Sequence, residues 1–517
     1  MKLNYKRTIL VGFAFFLISA FWQAYDATIP VILTNKFGMS QTWSGVIMAL
    51  DNILAVFMLP LFGALSDKCL TKYGKRTPFI TIGTTIAAIA ILCLSFVDNA
   101  QLQNISAVST IDDVSALETI YDTQADTPLL TPEGDTVVLR DSFTKEEFTA
   151  IRCKVTDPAS GKTITNPDYT NFVAPARQAY AAAQTAHNKT PLILFIALLL
   201  VVLVAMATFR SPAVALMPDV TMKPLRSKAN AVINLMGTAG GILVLVLGMV
   251  FSTSAVQNAM MSYTVYYSVI AAIMLGALTI FLCTVREPKW AAEMAADSIK
   301  YGIEEETPDT AEKRNLDAAE KKSLICILLS IALWYFGYNA VTSKYAVYAG
   351  NILDKDYNTT MLLAQAAAIV AYLPAGTIAS KIGRRKTILG GIVMLTTAFG
   401  CAAFMRSSSP TLVMNILFAL AGVAWATINV NSFPMVVEMC SGADVGKYTG
   451  FYYTASMTAQ IATPMLSGFL MDKLGMTILF PYAAIFVALA FVTMFLVKHG
   501  DAKIAAKKGL EAFAEED

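Results

Sequence analysis

Twelve long apolar runs recur along this chain, near 9–33, 43–65, 78–97, 190–217, 228–253, 261–285, 323–349, 358–380, 387–405, 410–433, 448–470 and 477–497. Each is close to or above the ~20 residues that a helix needs to cross a bilayer. Within the hydrocarbon layer a backbone must satisfy its own hydrogen bonds, which a helix does inside one segment. The expected fold is therefore an all-α polytopic membrane protein with twelve transmembrane helices. Only 15% of the residues are charged, against about 25% in soluble proteins. The net charge of +2 says little about partners other than lipid; no nucleic acid is expected.

Lys and Arg in short loops set the orientation. With both termini inside, the termini and short cytoplasmic loops hold nineteen of them, and the short outer loops hold four: Lys36, Lys355, Arg406 and Lys473. Both termini are expected to be cytoplasmic, in a plasma membrane. The start, MKLNYKR before an apolar run, has the outline of a signal peptide. Tyr25 and Asp26 in that run belong to an internal repeat, so the helix is expected to be retained.

Residues 98–189 are too long for an ordinary connection and are expected outside. DPASG at 157–161, flanked by IRCKV and KTIT, predicts a small β-hairpin. Ser142 or Thr144 ahead of Glu147 can cap a short helix. ARQAYAAAQTAH at 176–187 is expected to extend the fourth transmembrane helix outward. A solvated cap and a lid or docking module are both open readings. Cys153, the one cysteine of this segment, has no disulfide partner within it. Its reaction with an impermeant reagent offers a test of sidedness. Residues 286–322 read as a solvated cytoplasmic linker, and 499–517 as a cytoplasmic tail.

Short polar turns interrupt the apolar pattern in a repeated way. LPLFGALSDKCLTKYGKRTPFI at 59–80 has a weaker copy, LPAGTIASKIGRRKTI, at 373–388. One offset of 313 residues puts Gly63 on Gly376, Asp67 on Ser380, and Tyr25-Asp26-Ala27 on Tyr338-Asn339-Ala340. Two related six-helix halves are expected, 1–285 and 323–498.

Gly63-x-x-x-Asp67-Lys68 followed by Gly74-Lys75-Arg76 resembles the cytoplasmic loop signature of the major facilitator superfamily. The longer DKCLTKYGKRTPFI resembles the sucrose/proton symporters and their bacterial relatives, within or beside the glycoside–pentoside–hexuronide cation symporters. SPAVALMPDVTMKPLRSKANAVINLMG at 211–237, WYFGYNA at 334–340 and NVNSFPMVVEM at 429–439 extend the likeness. The resemblance covers both halves but not 98–189. Plant sucrose symporters place an Arg five residues before the Asp that follows their helix-4 Pro motif. Here Pro212 and Asp219 keep the spacing, but Val214 holds that position. Either Arg210, one turn earlier on the same face, takes the role, or sucrose-like recognition is lost.

Charges inside a span usually face a cavity or a partner. Asp26 and Asp51 are each about twelve residues from the turn at Gly38 and Met39, so antiparallel neighbours bring them to similar depth. A carboxyl shielded from water beside a second one suits proton uptake and release near neutrality. The alternative is that Asp51-Asn52 only bonds between helices. Trp22, Gln23, Tyr25 and Asp26 face the candidate substrate from one half, with Asn52. Trp334, Tyr335, Tyr338 and Asn339 face it from the other, with Asn429 and Asn431. Aromatic rings can stack on the apolar face of a sugar while Asp, Asn and Gln bind its hydroxyls; the same residues also serve ordinary packing or an interfacial belt. Lys344 is expected to snorkel. Gly63, Asp67, Lys75, Arg76, Arg210, Asp219 and Arg226 are the candidate cytoplasmic gate, a latch that can form in one conformer and break in the other.

The expected function is secondary active transport of a small solute, a sugar or glycoside, by alternating access. It is expected to be coupled to protons, with sodium as the other candidate ion, in a monomer without cofactor or metal. Efflux of an amphipathic compound, uptake of an organic anion through Arg210 and Lys344, and a non-transporting receptor are the alternatives. No catalytic cluster points to an enzyme.

Overall fold

The computed structural model describes residues 3–499 apart from 70, 157–160, 162, 223–224, 302–315, 438 and 440–444. Helices dominate the described residues. In chain order they are α1 (Tyr5–Asn35), α2 (Gln41–Asp67), α3 (Thr77–Asn104), α4 (Val114–Gln124), α5 (Leu139–Ser142), α6 (Lys145–Ala150), α7 (Ala174–His187), α8 (Thr190–Asp219), α9 (Arg226–Val250), α10 (Thr264–Thr284), α11 (Glu287–Lys300), α12 (Ala318–Tyr348), α13 (Tyr357–Ile382), α14 (Arg384–Ala402), α15 (Thr411–Val437), α16 (Val445–Leu474) and α17 (Leu479–Phe495). Every one of the twelve apolar runs falls largely within a helix. Among the described residues, nine helices are long and apolar enough to cross a membrane. The chain is an integral membrane protein. Helices α13, α14 and α16 fall outside those nine. They carry more polar side chains, such as Gln365, Arg384 and Asp472.

Helix ends follow local chemistry. Asn4 caps α1 by accepting from the Arg7 N–H at 3.2 Å. Ser40 caps α2 by accepting from that of Trp43 at 3.3 Å. A capping box of Asp317 and Glu320 opens α12. The α1–α2 turn needs glycine at position 38. Its φ is +63°, and a Cβ there would stand 2.3 Å from the Ala182 nitrogen of α7.

Buried apolar side chains gather in three clusters among the described residues. One joins α1–α3, α8–α10 and Trp290 of α11. A second joins α12–α17, with Ala27 and Leu245 reaching into it. The third is formed mainly by the insert, including Leu117, Ile120, Phe148, Tyr169 and Val173, and is joined by Met260 of the loop after α9. The insert thus has a core of its own. As the turn chemistry predicts, β3 (Lys154–Thr156) pairs antiparallel with β4 (Thr163–Thr165); most of the turn between them lies outside the described residues. A shorter pair joins β1 (Leu129–Leu130) to β2 (Thr136–Val137). Thr144, not Ser142, makes the capping box with Glu147.

Three expectations need correction. Residues 176–187 do not extend α8: α7 stops at Asn188, which is extended, and α8 restarts with Pro191 in its first turn. Pro191 has no N–H to continue the ladder. The linker is not merely solvated. Glu287 and Trp290 are buried, and Arg7 pairs with Glu293 at 2.5 Å. Cys153 is buried within the insert, and burial, with the Asp112 charge, pushes its thiol up to about 11. So little thiolate forms near neutral pH that it is a poor reporter of sidedness. The middle of the linker and the tail beyond His499 lie outside the described residues.

Helix α3 runs on past its apolar stretch because its polar end finds partners. Lys36, fully buried, donates to both Asp98 oxygens at 2.7 and 2.6 Å and to the Met261 carbonyl at 2.8 Å. Gln101 donates to the Lys36 carbonyl at 2.7 Å. Removing one member of a buried pair strands the other charge and costs about 3–5 kcal/mol, whereas replacing both can be neutral. Lys36→Met is therefore expected to lower stability by about that amount in detergent unfolding, and Lys36→Met/Asp98→Leu to recover most of it. Equal losses in the single and double variants would show that packing, not charge, holds this corner.

Candidate functional site

Helix α1 presents Trp22, Gln23, Tyr25 and Asp26 to the interior of the bundle. Trp22 and Tyr25 meet edge to face with ring centres 5.3 Å apart. The Trp22 Nε1 and the Tyr25 hydroxyl are buried without a hydrogen-bond partner. Asp26 is partly exposed, with no hydrogen bond or ion pair to it among the described residues. It lies close enough to Asp51, Tyr338 and Tyr357 to interact through its charge.

Asp51 is placed differently. Its Oδ1 accepts from Asn52 Nδ2 at 2.8 Å, and Arg210 of α8 interacts with it electrostatically. The Arg210 guanidinium stands 5.7 Å from the centre of the Trp22 ring. Arg210, a candidate for the gate, stands beside Asp51 and Trp22, four residues before Val214 on α8. Three charges, Asp26, Asp51 and Arg210, therefore share the interior, and the cation neighbours Asp51.

From the C-terminal helices, Tyr338 stacks flat on Trp425 of α15, with ring centres 3.6 Å apart and planes 5° from parallel. Tyr335 meets the same indole edge-on at 5.3 Å. Asn339 keeps a buried Nδ2 without a partner. Asn429 faces the Tyr372 side chain. Two expected groups are not available. Trp334 is buried in the core of α12–α17. Asn431 is buried and donates to the Thr427 carbonyl of its own helix at 2.9 Å. Trp425 and Tyr372 were not anticipated. Trp425 lies four residues before Asn429, on the same face of α15, and that spacing is the signal that could have found it.

Gln23 already has partners across the bundle. It donates to the Tyr357 hydroxyl at 3.1 Å and accepts from Gln365 at 2.6 Å, both on α13. Further bonds between N- and C-terminal helices gather at the end of the bundle that carries the insert. Asp472 of α16 accepts from the N–H groups of Gln41 and Thr42, each at 2.7 Å, and so caps α2 from another helix. Lys344 does not snorkel. It is fully buried and donates to the Gln41 carbonyl at 2.5 Å. Asn358 donates to the Thr253 hydroxyl at 3.2 Å. The insert spans the same seam: Thr165 donates its N–H to Asp354 at 3.0 Å, and Met476 donates to the Pro132 carbonyl at 2.7 Å.

At the opposite end, Arg76 is the hub of the polar loop. It contacts Asp219 at 2.7 Å, Asp67 at 2.5 Å and the Ser66 hydroxyl. The Asp67 side chain is 63% exposed and that of Asp219 34%. Screening weakens the Asp67 pair more, so Asp219 is the stronger partner. Glu287 of α11, unforeseen, accepts from the N–H groups of Lys75, Arg76 and Thr77 at 2.6, 2.9 and 2.8 Å and caps α3. Gly63 lets α2 approach α8, since a Cβ there would meet the Ser211 hydroxyl at 2.9 Å. The Arg226 side chain lies outside the described residues.

Comparisons with known proteins agree with this architecture. The family described as Major Facilitator Superfamily matches residues 327–514. That described as MFS/sugar transport protein matches residues 10–108. The MFS-type transporter ppzB of Metarhizium rileyi is 30% identical over 152 residues, 29% of this chain and 30% of that protein. Sucrose transport protein SUC4 of Arabidopsis thaliana is 34% identical over 74 residues, 14% of each chain. These matches span less than a third of the curated relatives' own length. In structure the chain is similar to the xylose transporter XylE of E. coli in its inward open conformation. The TM-score is 0.59 at 13% identity, covering 99% of this chain and 100% of that one. At that identity the likeness is one of fold.

Proposed function

We propose that this chain, which resembles the major facilitator superfamily in both its N- and C-terminal parts, is a proton-coupled symporter of a sugar or glycoside. In this reading residues 1–285 and 323–498 are two six-helix halves joined by 286–322, and they rock about the central site. The two separate apolar cores, one for each set of helices, support that division. The clustering of cross-bonds at the insert end supports a conformer closed there.

One observation carries the coupling: among the described residues Asp26 has no cation beside it, while Arg210 interacts with Asp51. A carboxylate without a cation, inside the bundle and next to a second acid, is where a proton is most favourably taken up. The Tyr338–Trp425 stack, Tyr335, Asn339 and Asn429 supply aromatic faces and amide groups of the kind a hydroxylated ring needs. Proton binding at Asp26 and solute binding beside it would each lower the cost of the other.

The test is counterflow and uptake in proteoliposomes with radiolabelled xylose, sucrose and a methyl glucuronide. Exchange of at least one solute is expected, with uphill uptake under an inward pH gradient that a protonophore collapses. Uptake that follows sodium and ignores the protonophore would remove the proton from the reading. A carboxylated sugar is the second reading, favoured because Arg210 has no hydrogen bond to a protein acceptor among the described residues. Exchange of the glucuronide alone would select it. Lys344, tied to Gln41, has no part in either reading.

A further inference from the structure

The insert contains a buried arginine without a partner. Arg177 of α7 is only 2% exposed, and among the described residues none of its three guanidinium nitrogens has a hydrogen-bond partner. A guanidinium carries five N–H donors and cannot shed its charge. Leaving such donors dry and unpaired is among the costliest arrangements a fold can hold, so buried charges are paired or meet a ligand. The Tyr169 ring, 5.8 Å away, offers a cation–π contact and accepts no N–H in its plane. Asp112, Asp354 and Asp356 lie in the region, but among the described residues none of them forms an ion pair with Arg177, and each accepts from another group. Asp112 accepts from the Cys153 N–H at 2.6 Å, and Asp356 caps α13 through the Thr359 N–H at 2.9 Å.

Arg177 also lines a cavity of about 50 Å³, several times the ~10–15 Å³ that one water needs. Its walls come from four places: the insert (Tyr169, Arg177, Gln178), the end of α1 (Asn35), the loop after α9 (Ser254) and the segment following α12 (Asn351). Gln178 donates to Asn35 Oδ1 at 2.9 Å, which leaves the Asn35 amide hydrogens for another acceptor. Among the described residues Asn351 makes only a 3.6 Å contact to the Met476 sulfur. About half of the wall is apolar, including Val31, Ala255, Val256 and Met260; Asn35, Arg177, Gln178, Ser254 and Asn351 supply its donors, and no carboxylate lines it among the described residues.

We propose that Arg177 is the anchor of a binding site for a small oxyanion, a carboxylate or phosphate group, held between the insert and the insert-end termini of α1 and α12. The guanidinium fork matches two oxygens of such a group, and the amides of Asn35 and Asn351 supply further donors. Because the wall combines residues from both sets of long helices, the bound anion stabilises the conformer closed at this end. The site is separate from the central solute site and acts on the equilibrium between conformers.

The test uses the purified full-length chain in a neutral detergent, in chloride buffer at fixed ionic strength. Sodium phosphate and sodium acetate are titrated by calorimetry, and thermal unfolding is followed in parallel. Saturable binding of at least one probe and a rise in unfolding temperature are expected. Arg177→Gln should weaken binding about 10-fold or more, the usual worth of a charged hydrogen bond, and Arg177→Lys by less. Asn351→Leu, in the wall but outside the insert, should weaken it also, and it tests the site if Arg177→Gln does not fold. A second arm replaces detergent with nanodiscs of phosphatidylglycerol or phosphatidylcholine without added phosphate. Stabilisation by phosphatidylglycerol alone identifies a lipid headgroup as the source of the oxyanion; a response to soluble phosphate or acetate identifies a free anion. No saturable response of the unsubstituted protein to any probe would overturn the proposal, as would binding unchanged in both Arg177→Gln and Asn351→Leu. Either result would leave water as the filling of the cavity.

Discussion

Asp26→Asn is expected to abolish accumulation against a concentration gradient while leaving exchange of solute across the membrane. Symport requires that solute and proton each favour the same conformer only when both are bound. An amide at position 26 mimics the protonated acid in shape and charge. The variant should therefore bind solute and change conformer as the loaded protein does, but it no longer needs the ion. In proteoliposomes with an imposed pH gradient, the ratio of internal to external solute should fall to unity, while counterflow continues. Asp51→Asn should behave differently. Arg210 would lose the carboxylate it interacts with, so solute binding and pH dependence should shift while some accumulation remains. Accumulation at the unsubstituted level in Asp26→Asn would remove this carboxylate from the coupling.

The parts of this site that were legible in the sequence are those that violate their own local surroundings. Asp26 and Asp51 stand out because they interrupt apolar runs, and Tyr25-Asp26 because its copy at Tyr338-Asn339 lies at the same offset as the loop motif. The helices were legible because a backbone in lipid has little alternative to helix. What escaped was supplied across space. Capping is normally read within one helix, from a residue to its neighbour three ahead. Here Glu287 caps α3 and Asp472 caps α2 from other elements, and no local pattern announces either. Lys344 near a helix end suggests a side chain reaching for water, yet a neighbouring carbonyl captures it first. Trp334 and Asn431 share their motifs with residues facing the interior, but the turn of the helix points them into the core.

Gly45→Leu and Gly468→Leu should block closure at the insert end and trap the protein open there. Helices α2 and α16 touch through their backbones at this crossing. A Cβ at Gly45 would lie 2.0 Å from the Pro464 carbonyl oxygen, and one at Gly468 would lie 2.2 Å from that of Gln41. Neither neighbour is a flexible side chain that can move aside. Such proximity also lets Asp472 reach the first N–H groups of α2 and Lys344 reach the Gln41 carbonyl, so a leucine would break these bonds together. Overpacking costs about 1–3 kcal/mol, which shifts a two-state equilibrium about 5- to 150-fold. In the proposed cycle the open conformer makes no contact at this crossing, so the cost should fall on the closed one and spare folding. Net uptake should drop in proportion, while solute binding from the insert side persists. Spin labels at Trp43 and Leu474, exposed positions near the insert-end termini of α2 and α16, can read the separation directly in a cysteine-free background. Their distance distribution should move to longer values in either glycine variant. An unchanged distribution together with full transport would mean that this crossing does not open in the cycle. The moving seam would then lie elsewhere, with α9 and α13 next, where a Cβ at Gly248 would collide with the Asn358 side chain.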